Sequence, residues 1–351
     1  GCGGFCMRRC GRGGDGMRKK DSIVFHRPPS VLAWAAVGGK KEAEGPLGNQ
    51  LDAATADNTL GETSWETAES DLQRRAVQLV LQKAATGLAG VDLIFAGDLQ
   101  AQCTASAYTM RALDVPFAGL YGACSTMAES LGMAACFCAA GLAGKAMALT
   151  SSHFCTAERQ FRTPLNYGGK RTPTAQWTAT AAGCCLLGAA GNGPRVNAVT
   201  FGRVRDYQVS DINNMGAAMA PAAAQTLLNH MQAVGTTPAQ YDSIYTGDLG
   251  QVGSALLCEI LEREGMPLPN HRDCGLMLYD RQNQQVKAGG SGCGCSAAVL
   301  CAHILPGLAA GREKRVLFAA TGALMSQTLF LQGESIPGIA HCVELACPES
   351  S

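Results

Sequence analysis

The stretch Val91-Asp-Leu-Ile-Phe-Ala-Gly-Asp-Leu99 has a counterpart later in the chain, Tyr241-Asp-Ser-Ile-Tyr-Thr-Gly-Asp-Leu249. Each copy is a short run rich in apolar residues, which predicts a strand that ends at Gly-Asp-Leu. A segment with helical periodicity precedes each copy, at residues 72–84 and 226–234. The order of helix, strand and Gly-Asp-Leu therefore occurs twice.

A second pair of segments extends the repeat. Gly122-Ala-Cys-Ser125 opens a helix of small residues that leads to a strand at 146–150, and Gly294-Cys-Ser296 opens another that leads to a strand at 316–321. Cys124 to Thr150 and Cys295 to Thr321 are both 26 positions (150 − 124 and 321 − 295). The repeat indicates an internal duplication, and the alternation of helices and strands predicts an α/β fold with a mostly parallel sheet.

The duplication predicts two halves, residues 22–195 and 196–351, after a leader at 1–21. The leader is rich in Gly and Arg, so we expect it to be disordered, and Met17 is a candidate start. Cys2, Cys6 and Cys10 have spacing that resembles a metal cluster. Because nothing around them predicts a strand or helix to hold a metal, we expect no metal site there.

Composition narrows the class of protein. Of the 351 residues 47% are hydrophobic and 16% are charged, which predicts a well-buried body rather than a disordered chain. The 28 basic and 28 acidic residues cancel, which argues against nucleic-acid binding. We expect the 17 cysteines to be mostly free thiols in a reducing compartment. No apolar stretch reaches transmembrane length, and residues 131–144 fit a buried core helix.

Cys124 is the most reactive position that the sequence predicts. Gly122 and Ala123 allow a tight turn into the helix, so the thiol would lie near unpaired helix-start amides and the positive end of the helix dipole. That setting favours a thiolate and provides donors for an oxyanion. The alternative is one more small buried thiol, and the spacing alone favours that alternative.

The duplicated halves and the segment Gly122-Ala-Cys-Ser-Thr126 resemble the thiolase superfamily, in particular its branch of ketoacyl synthase III and hydroxymethylglutaryl synthase. The resemblance implies two βαβαβ-type halves in a five-layer αβαβα fold, a homodimer, and a nucleophilic Cys124. Aligned on the second-half strand, the family's catalytic His falls at Asp248, and aligned on the late glycine loop its Asn falls at Ser291. A carboxylate at Asp248 would repel a thioester enolate, so the condensing machinery is expected to be lost.

A closer resemblance, to the stage V sporulation protein AD family, covers the chain from about Ser22 onward. The segments that carry it are Gly45-Pro-Leu-Gly48, Ala96-Gly-Asp-Leu99, Tyr121-Gly-Ala-Cys-Ser-Thr126, Thr150-Ser-Ser-His153, Thr156-Ala-Glu-Arg-Gln-Phe-Arg162, Tyr167-Gly-Gly169, the run from Met215 to Ala224, Thr246-Gly-Asp-Leu249, Ala288-Gly-Gly-Ser-Gly-Cys293 and Thr321-Gly-Ala323.

This resemblance implies binding of dipicolinic acid, alone or as its calcium chelate, during its uptake into the developing spore. It also implies partners encoded in the stage V sporulation A operon and a peripheral position at the cytoplasmic face of the inner forespore membrane. Turnover, a cofactor and a dedicated metal site are not expected. Two alternatives remain open: an acyltransferase that loads Cys124 from coenzyme A, and an assembly platform without activity.

Six further residues are candidates for ligand binding, and each has a structural alternative. Arg159 and Arg162 would offer planar charged groups to two carboxylates, or would form a solvated loop face or dimer contact. His153 follows a strand that faces the expected cleft, and a core histidine is the alternative. Asp98 and Asp248 recur at strand ends, where loop capping is the alternative. Ser291 lies in the late glycine loop.

Overall fold

The computed structural model describes residues 16–161 and 171–349. Its strands are β1 Gly16–Lys19, β2 Ser22–Phe25, β3 Ser30–Gly38, β4 Ala53–Ala54, β5 Leu93–Gly97, β6 Phe117–Gly119, β7 Lys145–Ser152, β8 Trp177–Thr178, β9 Ala181–Gly188, β10 Arg195–Thr200, β11 Ser243–Thr246, β12 His271–Asp273, β13 Gly290–Ser291, β14 Arg315–Ala323 and β15 Gly338–Ala346.

The helices alternate with these strands. They are α1 Lys40–Ala43, α2 Trp65–Lys83, α3 Thr104–Leu113, α4 Thr126–Ala139, α5 Phe154–Phe161, α6 Met215–Val234, α7 Gly250–Arg263, α8 Cys274–Met277, α9 Cys293–Val299, α10 Leu305–Ala309 and α11 Gln327–Leu331. One π-helical turn, Leu300–Ile304, joins α9 to α10. No helix within the described ranges has both the length and the apolar character to cross a bilayer.

The two halves have the same sheet topology. The first half orders its main strands β3-β9-β7-β5-β6, and the second orders them β10-β15-β14-β11-β12. In both, the first pairing and the second are antiparallel and the third and fourth are parallel. Numbered within each half, the strand order is 1-5-4-2-3 twice. The duplication predicted from the sequence repeat is therefore confirmed. The predicted mostly parallel sheet is wrong, because the main strands of each half have two antiparallel and two parallel pairings.

Five layers stack on these two sheets. One core cluster combines α4, α9 and the inner faces of both sheets, while α2 packs outside the first sheet and α6 and α7 pack outside the second. The central helices approach closely because their contact residues are small. A Cβ on Gly183 of β9 would lie 2.7 Å from the Ala297 Cβ of α9, and one on Gly132 of α4 would lie 2.7 Å from Val199 Cγ1 of β10. Each half therefore buries its central helix against the other half.

The cysteines of the described residues are free thiols, as predicted, and many pack as small apolar groups. Cys184 and Cys185 of β9 are fully buried, and the Cys185 Sγ lies 3.6 Å from the Cys301 Sγ of the π-helical turn. Burial raises the pKa of the Cys184 and Cys185 thiols well above the usual value. Cys2, Cys6 and Cys10 lie outside the described residues.

Several local predictions need correction at their boundaries. The expected leader at 1–21 overlaps an ordered hairpin, since β1 pairs antiparallel with β2. The spacing of Thr63 and Glu66 predicts a capping box, but helix α2 is capped by Ser64, whose Oγ accepts from Thr67 N at 3.2 Å. Helix α6 begins at Met215, well before the predicted 226. Pro221 lies inside it, and an interior proline normally indicates a helix boundary in a sequence. The predicted core helix at 131–144 corresponds to α4.

Candidate functional site

Cys124 lies on a sharp turn between β6 and the central helix α4. Ala123 adopts φ = +50°, a left-handed conformation that costs a non-glycine residue about 1–2 kcal/mol. Hydrogen bonds hold the turn: Thr126 Oγ1 donates to Ala123 O at 2.7 Å, and Ser125 Oγ donates to Gly122 O at 2.7 Å. Backbone strain that the surroundings maintain in this way is common at functional sites.

The second half places a carboxyl and a hydroxyl opposite this thiol. Ser291 Oγ lies 3.9 Å from Cys124 Sγ and donates to Asp248 Oδ2 at 3.1 Å. Asp248 Oδ2 also accepts from Gly292 N at 2.8 Å, and its Oδ1 accepts from Thr321 Oγ1 at 2.9 Å. Asp248 itself is fully buried. The predicted positions of Asp248 and Ser291 beside Cys124 are therefore observed.

The predicted thiolate is wrong. Burial raises the pKa of the Cys124 thiol well above its usual value, and the neighbouring Asp248 carboxyl raises it further. Burial also raises the pKa of Asp248, although hydrogen bonds from Cys124, Gly292, Thr321 and Ser291 oppose that effect. The start of α4 does favour an anion, but burial of the thiol, followed by the effect of the Asp248 carboxyl, outweighs it. Cys124 is accordingly a neutral hydrogen-bonding thiol at neutral pH.

A cavity of about 160 Å³ opens at this thiol. Apolar side chains form much of its wall, among them Leu99, Phe161, Met219 and Met325. Its polar lining includes Cys124, Ser291, Glu158, Arg171, Thr172, Gln176, Thr178 and Asn213. Both halves of the chain therefore contribute to the same small cavity.

Arg171 supplies a positively charged side chain to the cavity. Its guanidinium carbon lies 5.0 Å from the Trp177 ring centroid and 5.1 Å from that of Phe154, and these two rings stack with centroids 3.9 Å apart. Arg171 Nη1 donates to Gln176 O at 3.2 Å, and Nη2 pairs with Glu158 at 2.5 Å. Stacking and pairing fix the plane of the guanidinium at the cavity wall.

Gln176 ties the cavity wall to the buried carboxyl. Its Nε2 donates to Asp248 O at 2.7 Å and to Gly290 O at 2.8 Å. The adjoining β8 pairs in parallel with β13, which carries Ser291. A side chain and a strand pair thus hold Ser291 and Asp248 in register with Cys124.

The structure separates the other predicted site residues from this cavity. Arg159 is exposed, pairs with Glu66 at the start of α2, and is not among the described residues that line this cavity. His153 is buried: its Nε2 lies 2.9 Å from Asn58 O and its Nδ1 accepts from Cys155 N. Burial lowers the pKa of His153, which makes it the core histidine of the alternative interpretation. Arg162 lies outside the described residues.

Asp98 caps a loop, which is the structural alternative given for it above. Its Oδ1 accepts from Gln100 N at 2.9 Å, and its Oδ2 accepts from the N and Oγ of Ser106, at 2.8 and 2.7 Å. These bonds fix the loop after β5 and the first turn of α3. The symmetric sequence positions of Asp98 and Asp248 therefore have different roles, because only Asp248 faces the cysteine.

Arg171, Gln176 and the ring pair Phe154–Trp177 were missed by the sequence reasoning. The only signal for them was Trp177, one of three tryptophans in the chain, close after an arginine and next to a small-residue strand. Within the described residues no group of three or more His, Cys, Asp or Glu side chains is arranged to hold a metal ion.

The chain consists of two duplicated halves, with central helices between their sheets. A cysteine lies on the turn before one of those helices. These features define a thiolase-like protein. Solved structures agree with this class. The 3-oxoacyl-[acyl-carrier-protein] synthase III of Aquifex aeolicus superposes with a TM-score of 0.57 at 11% identity, over 91% of this chain and 99% of that one. A variant of OleA from Xanthomonas campestris gives 0.59 at 13% identity, over 91% and 98%. At these identities the similarity shows the fold.

A closer relationship appears in sequence. Residues 19–346 match the family model of stage V sporulation protein AD, and this chain belongs to that family. The stage V sporulation protein AD of Bacillus subtilis (strain 168) is 42% identical over 325 residues, which cover 92% of this chain and 96% of that protein. The family membership predicted from the sequence motifs is confirmed, and with it a role in sporulation.

Proposed function

We propose that this protein binds dipicolinic acid (pyridine-2,6-dicarboxylic acid) in the Cys124 cavity and serves its uptake into the developing spore without turning it over. The observation that carries the proposal is the character of the cavity, which combines apolar walls with a stacked guanidinium and several neutral donors. The family's role in sporulation supports the biological setting.

The size of the cavity suits one aromatic ring. A cavity of about 150 Å³ can hold benzene, and this one measures about 160 Å³. The ring would pack among the apolar side chains, while the two carboxylates would face Arg171 and neutral donors such as Asn213. Arg171 is oriented for a planar carboxylate because the rings of Phe154 and Trp177 hold it.

The surroundings of Cys124 support binding without covalent chemistry. A nucleophilic cysteine reacts as its thiolate, and the pKa of this thiol is raised by burial and by Asp248. Asp248 stands where the condensing enzymes of the fold are expected to have a neutral donor. A carboxyl there would oppose the negative charge that develops on a thioester oxygen.

Calorimetric titration with dipicolinic acid tests the proposal, and the chain offers a matched pair of arginines. Arg171→Gln should weaken binding roughly 10-fold or more, since a charge-assisted hydrogen bond is lost. Arg159→Gln should bind like the wild type, because Arg159 pairs with Glu66 away from the cavity. Absence of saturable binding in the folded wild type, or equal weakening by both changes, would refute this site.

Glu158 gives a second, opposite test. It lines the cavity and pairs with Arg171, so it competes with a bound dianion for the same guanidinium. Glu158→Gln should therefore tighten dipicolinate binding by a few-fold, and the gain should shrink at high salt. A loss of affinity in a folded Glu158→Gln protein would mean that the ligand does not approach Arg171.

Acyl transfer from coenzyme A is the second candidate, favoured by one observation: the Cys124 thiol borders an open cavity in a fold shared with acyl-processing proteins. A Cys→Ser variant of OleA has been crystallised with lauric acid and lauroyl-CoA bound. Incubation with radiolabelled acyl-coenzyme A distinguishes the two functions. A stable acyl group that depends on Cys124 would favour acyl transfer. A protein that neither binds dipicolinate nor accepts acyl groups would instead be an assembly platform.

We further propose that the protein works as a homodimer with proteins of the stage V sporulation A operon, peripheral to the inner forespore membrane at its cytoplasmic face. By analogy with other proteins of this architecture, we expect two subunits to pair. Light scattering at micromolar concentration tests the dimer, for which a monomeric mass would be contrary evidence. Calcium bound as the dipicolinate chelate is a further expectation, tested by repeating the titration with calcium present.

A further inference from the structure

A second cavity, of about 170 Å³, lies on the outer side of α6 and shares no lining residue with the Cys124 cavity. Three segments build it. The turn between β1 and β2 supplies Lys20 and Asp21, the segment after β10 supplies Arg203 and Arg205, and α6 supplies Gln225, Asn229 and Gln232. The spacing of the three amides along α6 puts them on one face of the helix.

The charges in this cavity are not balanced, because three basic side chains line it with one carboxyl. That carboxyl is already engaged: Arg203 donates to Asp21 through Nε at 2.9 Å and Nη2 at 2.7 Å. The hydrogen bond from Arg203 lowers the pKa of Asp21, so its charge is retained at neutral pH. Lys20 and Arg205 are left without a neutralising carboxyl among the residues that line the cavity.

Arg205 is fixed in place but incompletely satisfied. Its backbone N donates to Gly338 O at 2.8 Å, and its O accepts from Gly338 N at 2.7 Å. Its side-chain Nε is buried and has no hydrogen-bond partner among the described residues. The adjacent Asp206 does not serve as one, since it accepts from Ser335 Oγ at 2.6 Å. A buried guanidinium N–H without an acceptor is unfavourable, and an anion beside the guanidinium would offset that cost.

We infer that this second cavity binds a phosphate group. Two unneutralised cations match a phosphate dianion, and arginine and lysine side chains are the usual donors to it. The donors come from three segments around the cavity rather than from one plane, which suits a tetrahedral anion. The amides of Gln225 and Gln232 add neutral donors at the same site.

Free phosphate and the phosphodiester of an anionic lipid, which carries one negative charge, both present phosphoryl oxygens to such donors. Exposed apolar side chains lie near the basic ones in both basic segments: Met17 is 49% exposed, Val204 53% and Tyr207 58%. Such side chains can enter the headgroup region of a bilayer, so both sources belong in the test. The inference stands apart from dipicolinate binding, because the two cavities have no residue in common.

The test is a titration of the full chain with inorganic phosphate at constant ionic strength, alongside cosedimentation with phosphatidylglycerol or phosphatidylcholine vesicles. We expect saturable phosphate binding that weakens about 10-fold or more in Arg205→Gln. Lys20→Gln, in an exposed turn, should also weaken binding and covers the case in which Arg205→Gln fails to fold. Arg263→Gln removes an exposed charge on α7, away from the cavity, and should bind like the wild type.

The vesicle experiment identifies the source. Binding to phosphatidylglycerol but not phosphatidylcholine vesicles, reversed by added phosphate and lost in Arg205→Gln, supports a lipid headgroup. Phosphate binding without vesicle binding supports a free anion. Absence of both kinds of binding in the wild type would overturn the inference. So would equal affinities of wild type and folded Arg205→Gln, or an equal loss in Arg263→Gln.

Discussion

Replacing Asp248 by asparagine isolates the effect of one buried charge on the Cys124 thiol. The change preserves the shape of the side chain, and its carbonyl oxygen can still accept from Gly292 N and Ser291 Oγ. Its amide can donate to Thr321 Oγ1, since a hydroxyl both donates and accepts. We therefore expect the fold to survive, while the negative charge beside the sulfur is removed.

The size of the effect follows from the contacts at the sulfur. Asp248 raises the pKa of Cys124 both by its charge and by accepting a hydrogen bond from the thiol. A charge-assisted hydrogen bond contributes about 1.5–3 kcal/mol, and one pKa unit corresponds to about 1.4 kcal/mol. Asp248→Asn should therefore lower the pKa of the Cys124 thiol and raise its rate of modification at a fixed pH by about 10-fold or more. The pKa stays above its usual value because burial is unchanged.

The assay is the rate of iodoacetamide modification at Cys124 as a function of pH, measured by mass spectrometry of the Cys124 peptide. Cys155, half-buried and separate from Asp248, provides an internal reference whose profile should not move. A Cys124 profile that is the same in wild type and Asp248→Asn would refute the reasoning. It would mean that burial alone raises this pKa and that the carboxyl is neutral when the thiol ionises.

Three further predictions concern stability. Gly322→Ala should lower the free energy of unfolding by roughly 1–3 kcal/mol in urea denaturation, because the new Cβ would lie 2.2 Å from Gly122 O. Gly87→Ala is the control, since a Cβ there would have no atom within 4 Å. Equal unfolding midpoints of the two variants would contradict the prediction. Burial raises the pKa of Glu344, but hydrogen bonds outweigh that effect and lower the pKa to about 2. Ionised Glu344 therefore contributes roughly 3 kcal/mol to the free energy of unfolding. This contribution is present above about pH 4.5 and is lost as the pH falls towards 2. The difference between wild type and Glu344→Gln should shrink over that range, and a constant difference would count against it. Burial and the nearby Asp98 carboxyl raise the pKa of Glu69 to about 7, so its contribution to stability is lost as pH rises from about 4.5 to 7. Glu69→Gln should make the fall in stability over this range smaller, and pH profiles that run parallel in the two proteins would contradict the prediction.

The fold was predictable because a duplicated chain presents its pattern twice. The predicted strand at 146–150 lies inside β7, Lys145–Ser152, and the one at 316–321 lies inside β14, Arg315–Ala323. Each is a continuous apolar run, which is typical of central strands that are covered on both faces. Boundaries that depend on local capping, such as Ser64 before α2, were less accurate because neighbouring hydroxyl residues compete for the same role.

The site was predictable only in part, since its chemistry depends on distances across the fold. Cys124, Asp248 and Ser291 could be related by the family's alignment, and they do meet. Whether the thiol ionises depends on its burial and on the position of one carboxyl, neither of which the sequence specifies. The choice between Arg159 and Arg171 depended on the course of the chain after β7. Arg159 lies exposed on α5 and pairs with Glu66, while the guanidinium of Arg171 lies over the ring of Trp177.

The buried thiols have a consequence for how long the molecule can remain chemically intact. Oxidation of cysteine by peroxide proceeds through the thiolate, and burial in the sheets suppresses that form at Cys184 and Cys185. The same suppression holds at Cys124, where the first cavity opens. Burial in this way protects these three thiols of a cysteine-rich protein from the oxidation to which cysteine is usually prone.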